Sequence, residues 1–104
     1  MPEVYQMEQR LRSDYAFAAA TVRGLVMKLD GNHELVPAGA ADGDAVGYSA
    51  ADFGTPHAKG PIIVINASGT AMLRSAGAFA KRAVLYQAAG GKVDDAGTIR
   101  RGIA

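Results

Sequence analysis

Few side chains in this sequence could do chemistry, and the most conspicuous is a lysine. Lys28 stands between Met27 and Leu29 in the stretch RGLVMKLDGNHELV, directly before the turn-forming residues Asp30-Gly31-Asn32. A lysine near a hairpin tip can serve as an attachment site for a cofactor, because its amine sits at the end of a flexible four-carbon stem. The alternative is an outward-facing side chain on an ordinary strand.

The residues around Lys28 look like a weak version of the motif of biotin and lipoyl carrier domains. Those small β-barrels present a lysine at a hairpin tip, and biotin carriers place it between methionines. Here the tip is predicted at Asp30-Gly31-Asn32, which leaves Lys28 down the strand. The preceding alanine and following methionine of the motif are missing. We therefore predict a strand residue and no cofactor, with a modified Lys28 as the alternative.

The other reactive side chains do not form a catalytic or metal-binding pattern. His33 and His57 have no neighbouring histidine, and no carboxylate at helical spacing, that would suggest a metal site. Ser49, Ser68 and Ser75 lack the context of a nucleophile elbow. We expect no catalytic and no metal-binding residue, and hence no enzyme.

Composition excludes several further classes of function. Eleven basic and ten acidic residues leave a net charge of +1, and the basic residues are scattered, so nucleic acid is not an expected partner. The glycine pairs in AAGGKV and ADGDAVG do not precede a helix, so they predict turns and not a phosphate loop. The absence of cysteine excludes disulfides. A charged N-terminus and the lack of a long apolar run predict a soluble protein without a membrane segment.

The elements that position these residues begin with an amphipathic segment. Val4, Met7 and Leu11 recur at spacings of three and four, which predicts a short helix or a docking arm over residues 1–14. Residues 15–104 are predicted to form a β-rich domain. Its first strand is expected where apolar and small residues alternate, at Tyr15, Phe17, Ala19 and Thr21.

Three short hairpins are then predicted from β-branched runs and the turn residues between them. Together they indicate a mainly β fold, a small β-barrel or sandwich. The predicted segments are Leu25 to Leu29 with Glu34 to Val36, ended by Pro37; a brief strand at Ala45 to Tyr48; Ile62 to Ile65 with Thr70 to Leu73 around a turn at Asn66 to Gly69; and Ala83 to Gln87, a Gly90-Gly91 turn, a return at Val93 and a last strand at Ile99 to Ala104.

The first and third hairpins resemble each other in sequence. At a constant separation of 58 positions, similar residues recur, and Lys28 corresponds to Tyr86. After a gap of three residues, Gly47-Tyr48 aligns with Gly102-Ile103. This pattern favours a duplicated structural unit over a modified lysine. The matched pairs are Arg23 with Lys81, Val26 with Val84, Met27 with Leu85, Leu35 with Val93, Ala38 with Ala96 and Gly39 with Gly97.

The order of these elements also resembles a known family. The stretches VRGLVMKLDGNHELVPAGAADGDAVGYSA, GPIIVINASGTAML and AKRAVLYQAAGGKVDDAGTIRRGIA are similar to the small capsid decoration, or cement, proteins of tailed bacteriophages. The resemblance covers roughly residues 15 to 104. It implies a β-rich knob on the outer face of the phage head, often a trimer, that clamps major capsid subunits. The resemblance also implies synthesis in the cytoplasm of the bacterial host. It implies no active-site residues.

The resemblance directs attention to surfaces that could bind partners. Related chains commonly continue past Gly102-Ile103-Ala104 into another strand, so we expect the last strand to pair with the N-terminal segment or with a neighbouring subunit. The expected partners are the major capsid protein and further copies of this chain. Another β-rich virion component, of the tail or connector, is the alternative. The candidate capsid or subunit interface residues are Val4, Tyr5, Met7, Arg10, Leu11, Arg12 and Ile103.

Overall fold

Short β-strands account for nearly all the regular structure, as predicted. The computed structural model describes residues 11–12, 15–52, 54–65 and 72–104 of the chain. Most of the predicted N-terminal helix or arm lies outside these residues. The strands form two antiparallel sheets, one of five strands in the order β1-β5-β4-β2-β3 and one of three in the order β7-β6-β8. Their bounds are β1 Leu11–Arg12, β2 Val26–Leu29, β3 Leu35–Pro37, β4 Ala45–Ser49, β5 Ile62–Val64, β6 Val84–Gln87, β7 Val93–Asp94 and β8 Arg100–Ile103, with a 3₁₀ turn at Ala89–Gly91.

The first and third predicted hairpins are confirmed. In the first, β2 and β3 pair across the tip that begins at Asp30. The Asp30 carboxylate accepts hydrogen bonds from the backbone N–H groups of Asn32 (2.8 Å) and Glu34 (3.0 Å) and so holds the turn. Pro37 ends β3, which is an edge strand and tolerates the missing donor. In the third, β6 pairs with both β7 and β8.

The predicted second hairpin is wrong. Ile62 and Ile63 in β5 are paired on one side with β4 and on the other with β1, so no edge remains for a returning strand. Met72 and Leu73 are not in a strand, and the predicted turn at Asn66 to Gly69 lies outside the described residues. The β-branched run correctly marked a strand, but long-range pairing took the place of the local return.

The strand predicted over Tyr15 to Thr21 is also wrong. Only isolated bridges form there, at Ala16, Phe17 and Thr21, of which Ala16 bridges Lys59 and Phe17 bridges Leu35. Past Phe17 the alanines offer little side chain to pack. The Thr21 hydroxyl also donates a local hydrogen bond to the carbonyl of Ala19 (2.9 Å), a kind of interaction that competes with continuous strand pairing.

The sequence repeat is a repeat of structure, with the same registers in both copies. Met27 faces Gly47 across β2 and β4, and Leu85 faces Gly102 across β6 and β8. The register shifts immediately after Met27 in one copy and after Leu85 in the other. The remaining pairs also correspond: Val26 with Tyr48 and Val84 with Ile103, Lys28 with Ala45 and Tyr86 with Arg100, Lys28 with Val36 and Tyr86 with Asp94, and Leu29 with Leu35 and Gln87 with Val93.

The repeat extends upstream of the hairpins. Phe17 bridges Leu35 in parallel at the outer edge of β3, and Ser75 bridges Val93 in the same way at the outer edge of β7. Both bridges use the same two backbone hydrogen bonds on either side of the bridged residue. Each three-stranded unit, β4-β2-β3 in the first repeat and β8-β6-β7 in the second, therefore has one outer edge bridged by the chain segment that precedes it.

Left-handed backbone recurs at corresponding positions of the two repeats. The φ values are 90° at Gly24 and 66° at Arg82, then 59° at His33 and 77° at Gly91. The residue type differs according to what surrounds it. His33 is exposed, whereas a Cβ at Gly91 would lie 2.7 Å from the Val26 carbonyl oxygen. Glycine is needed at position 91 because this turn packs directly on the first sheet.

The first sheet is covered on both faces by apolar side chains. One cluster, which we call the Phe17 core, packs the N-terminal segment on it, and the other, the Val93 core, packs the second sheet on its opposite face. The buried residues are Phe17, Leu25, Met27, Leu35 and Ile62 in the Phe17 core, and Val26, Ala38, Tyr48, Leu85 and Val93 in the Val93 core.

The two repeats differ at one edge. In the first, the edge of β4 away from β2 is paired with β5. A Cβ at Gly47 would collide with the carbonyl oxygen of Ile63 and lie 3.2 Å from the Cδ1 of Ile62. In the second repeat, a Cβ at Gly102 meets nothing within 4 Å among the described residues. Glycine is therefore required by close contact at position 47, whereas contacts among the described residues do not explain the equivalent glycine at position 102.

This difference predicts opposite outcomes for one substitution at two equivalent sites. Gly47→Ala should lower the free energy of unfolding by about 1–3 kcal/mol, because the β5 backbone must shift. Gly102→Ala should change it by less than about 0.5 kcal/mol. Urea unfolding followed by circular dichroism measures both, and equal losses in the two variants would contradict the steric assignment.

Candidate functional site: the outer edge of β8

Lys28 is a strand residue, as predicted. It lies in β2, and its Nζ forms an ion pair with Asp42 Oδ2 at 3.0 Å. The Asp42 carboxylate also accepts the backbone N–H of Gly39 (2.7 Å), so it closes the loop between β3 and β4. Lys28 thus has a structural partner, and its ammonium is held beside the sheet instead of at the Asp30 tip.

Two carboxylates have lowered pKa values because of their local hydrogen bonds. The backbone N–H of Gly39, followed by the Lys28 ammonium, lowers the pKa of Asp42 below its ordinary value of 3.8. The backbone N–H groups of Glu34 and Asn32 lower the pKa of Asp30 in the same way. Each ionised carboxylate stabilises the fold above the ordinary pKa, and this contribution is lost as the pH falls through the lower folded-state value.

We therefore expect acid to weaken the folded protein through these two groups. Stability should be constant between pH 7 and 5 as far as Asp30 and Asp42 are concerned, and should decline from about pH 4 downward. Asp42→Asn and Asp30→Asn should each flatten that decline. Urea midpoints measured across the pH range give the comparison. Asp95→Asn is the control for an exposed carboxylate, and an equal flattening by that variant would count against the assignment.

A buried amide joins the two repeats. Gln87 in β6 is 1% exposed, and its Nε2 donates to the carbonyls of Gly39 (2.6 Å) and Asp42 (2.7 Å). Its Oε1 accepts from Arg101 Nε at 2.9 Å. Buried polar groups need such partners, because leaving them unpaired costs free energy. The network ties the first repeat's loop to β8 and orients Arg101.

Replacing this amide should loosen the contact between the sheets. Gln87→Leu leaves two carbonyls without their donor and should cost about 1–3 kcal/mol of unfolding free energy. Lys92→Ala, at an exposed position beside β7, is the matched control and should stay within about 0.5 kcal/mol. Urea denaturation measures both. A loss for Gln87→Leu no larger than for the control would mean that the network adds no stability.

The remaining reactive side chains have structural surroundings. Ser49 is buried, accepts the backbone N–H of Leu25 (2.9 Å) and donates to the carbonyl of Val22 (2.7 Å). Ser75 is exposed in its bridge, and Ser68 lies outside the described residues. Within the described ranges, no group of three or more His, Cys, Asp or Glu residues could hold a metal ion.

One contact of a histidine was missed by the sequence reasoning. His57 Nδ1 lies 2.7 Å from Glu34 Oε2, on an exposed surface. The spacing along the chain is not helical, so sequence offered no sign of it. Ala16 bridges Lys59 and Phe17 bridges Leu35. These bridges bring His57 and Glu34 close together.

Of the predicted interface residues, Leu11, Arg12 and Ile103 lie in the described part of the chain, in two different sheets. Val4, Tyr5, Met7 and Arg10 lie outside the described residues. The backbone of Leu11 and Arg12 forms β1, paired with β5 in the first sheet. Ile103 lies in β8 of the second sheet and is 60% exposed. The last strand, β8, pairs with β6 of the same chain, and no N-terminal strand among the described residues pairs with it. Pairing of its other edge with a neighbouring subunit stays a prediction.

The outer edge of β8 is the best-defined candidate for an interaction site. It consists of Arg100, Arg101, Gly102 and Ile103. Among the described strands, the only one paired with β8 is β6, so the edge that corresponds to the β5-bound edge of β4 is open. Ile103 corresponds to Tyr48, which is only 9% exposed. An exposed apolar side chain beside unpaired backbone groups is suited to strand addition.

Charge and burial connect this edge to the core. Burial raises the pKa of Tyr48, and the positive charge of Arg101 partly offsets that effect. Arg101 is held by Gln87, whereas Arg100 is exposed and forms no ion pair among the described residues. The edge thus presents one free cation and one exposed isoleucine on a rigid frame.

Comparisons with family models, with curated proteins and with solved structures find no match to this chain. Across the described residues, no helix has the length and apolar character needed to cross a membrane.

Proposed function

We propose that the protein is a capsid decoration protein of a tailed bacteriophage, a cement protein that binds the outer surface of the head and stabilises contacts between major capsid subunits. The observation that carries this proposal is the β8 edge, which no other described strand covers, with its exposed Ile103, on a small domain whose other described strand edges are largely paired. The sequence resemblance over residues 15 to 104 points to the same role. It is a structural role without catalysis or cofactor.

The repeated architecture suits a protein that must resist force. Each three-stranded unit is stabilised by antiparallel pairing, by a bridged outer edge and by the shared Val93 core. A small domain gains further stability when its exposed surface is buried against partners. We propose the major capsid protein and further copies of this chain, a trimer being favoured, as those partners.

Residues 1–12 are proposed to contribute to the same attachment. They include the candidate interface residues Val4, Tyr5, Met7, Arg10, Leu11 and Arg12. Only the backbone of Leu11–Arg12 is placed, at the outer edge of the first sheet. Leu11–Arg12 thus lies in one sheet and Ile103 in the other, which would allow one molecule to contact two neighbouring subunits.

The proposal predicts a high copy number on phage heads. Mixing the purified protein with expanded capsids should give stoichiometric density on the outer surface in cryo-electron microscopy, and deletion of residues 1–12 should reduce its occupancy. A ring of a few copies at one vertex would instead indicate a tail or connector component. Normal decoration by the truncated protein would refute the role of the N-terminal segment.

The carrier alternative is tested on the same material. Intact mass after co-expression with a biotin or lipoate ligase should show an unmodified chain, since Lys28 lies on a strand in an ion pair with Asp42. A mass increase lost in Lys28→Ala would establish modification and overturn the structural reading.

A further inference from the structure

The two repeats of this chain supply a template for what binds at β8. In the first repeat, β5 adds antiparallel to β4, with Val64, Ile63 and Ile62 facing Gly47, Tyr48 and Ser49. The residues equivalent to Gly47 and Tyr48 in the second repeat are Gly102 and Ile103, because both pairs occupy the same register against β2 and β6. The position equivalent to β5 is vacant among the described residues.

Gly102 is an independent sign that a strand docks there. Its backbone is not left-handed, unlike that of Gly24, Gly90, Gly91 and Gly97, so backbone conformation does not require glycine. A Cβ would also meet no described atom within 4 Å. At the equivalent Gly47, glycine is required by the close approach of the β5 backbone. A glycine at 102 is explained if another backbone approaches it in the same way.

Charge indicates which kind of strand fits. The outer edges of β3 and β7 are bridged by Phe17 and Ser75, so among the described strands only β1 and β8 have open edges. Arg12 is in β1, and Arg100 and Arg101 are in β8. Pairing β8 with β8 of a second copy would bring the Arg100–Arg101 pairs of the two copies close together, which is unfavourable. The edge is therefore protected against pairing with its own copy and favours an acidic partner.

We propose that the outer edge of β8 accepts, by β-strand addition, an extended segment of the major capsid protein that carries β-branched apolar residues and a carboxylate opposite Arg100. This inference rests on the proposed function, and it names the contact by which decoration would occur. The incoming backbone passes over Gly102 as β5 passes over Gly47. Its apolar side chains cover Ile103, which the chain itself leaves exposed.

The edge can be tested with a peptide probe that needs no knowledge of the capsid sequence. The probe is a synthetic peptide with residues 60–65 of this chain, GPIIVI, flanked by glutamates, and its control has lysines in their place. In an NMR titration of the full-length protein, the glutamate peptide should shift the amide signals of residues 100–104. The lysine peptide should bind at least tenfold more weakly. Shifts elsewhere, no shifts, or equal affinity for the two peptides would overturn the proposal.

Gly102→Ala provides the matched variant, because it adds one methyl group where the free protein has space. It should keep the wild-type unfolding midpoint and bind the glutamate peptide at least tenfold more weakly. Arg100→Ala should reduce the preference for glutamates over lysines. A change of oligomeric state in Gly102→Ala, measured by light scattering, would mean that a second copy occupies the edge and would contradict the proposal.

Binding to expanded capsids separates this inference from the proposed function. If the wild-type protein decorates capsids and Gly102→Ala does not, the contact at β8 is supported. If both bind equally, the β8 contact is wrong although the decoration function stands. If the wild-type protein does not bind capsids, the proposed function fails, and the capsid protein is excluded as the occupant of this edge.

Discussion

The fold depends on β2 being covered by apolar side chains on both faces. Val26 and Met27 are neighbours in this strand, point to opposite faces and are both fully buried. Met27 belongs to the Phe17 core and Val26 to the Val93 core. A lone five-stranded sheet would leave Val26 in water, so the second sheet is needed to bury it. The contacts of Gly91 and Gln87 with the first repeat follow from this requirement.

One backbone frame is used twice with different surroundings. The registers, the irregularity after Met27 and Leu85, and the left-handed positions recur in both repeats. The side chains do not, since Lys28 corresponds to Tyr86 and Leu29 to Gln87. Backbone pairing therefore defines the repeated unit, and side-chain differences decide what each copy contacts. The first repeat pairs with β5 of its own chain, whereas no described strand pairs with the equivalent edge of the second.

Sequence patterns were reliable where turn chemistry and strand pairing were local. The Asp30 turn, the Gly90-Gly91 turn and their flanking strands were all predicted, because those signals act over a few residues. The repeat at 58 positions was predicted for the same reason. Patterns marked the strand at Ile62 but not its partners, and they wrongly predicted a strand at Tyr15 to Thr21; the partners of both segments lie far along the chain. A β-branched run indicates a strand without identifying its neighbour.

The candidate site, too, was predicted from the sequence only in part. Sequence alone predicted Ile103 as a candidate interface residue and matched Gly102 with Gly47, and it placed Lys28 on a strand away from the hairpin tip. Only the tertiary structure paired β5 with β4 and left the equivalent edge of β8 without a partner among the described strands. It also joined Gln87 to the loop of Gly39 and Asp42 and brought His57 to Glu34. Local turn and strand preferences depend on neighbouring residues, so they can be predicted from short stretches of sequence. Which segment pairs with a sheet edge depends instead on residues far apart in the chain and on the apolar surface that their pairing buries.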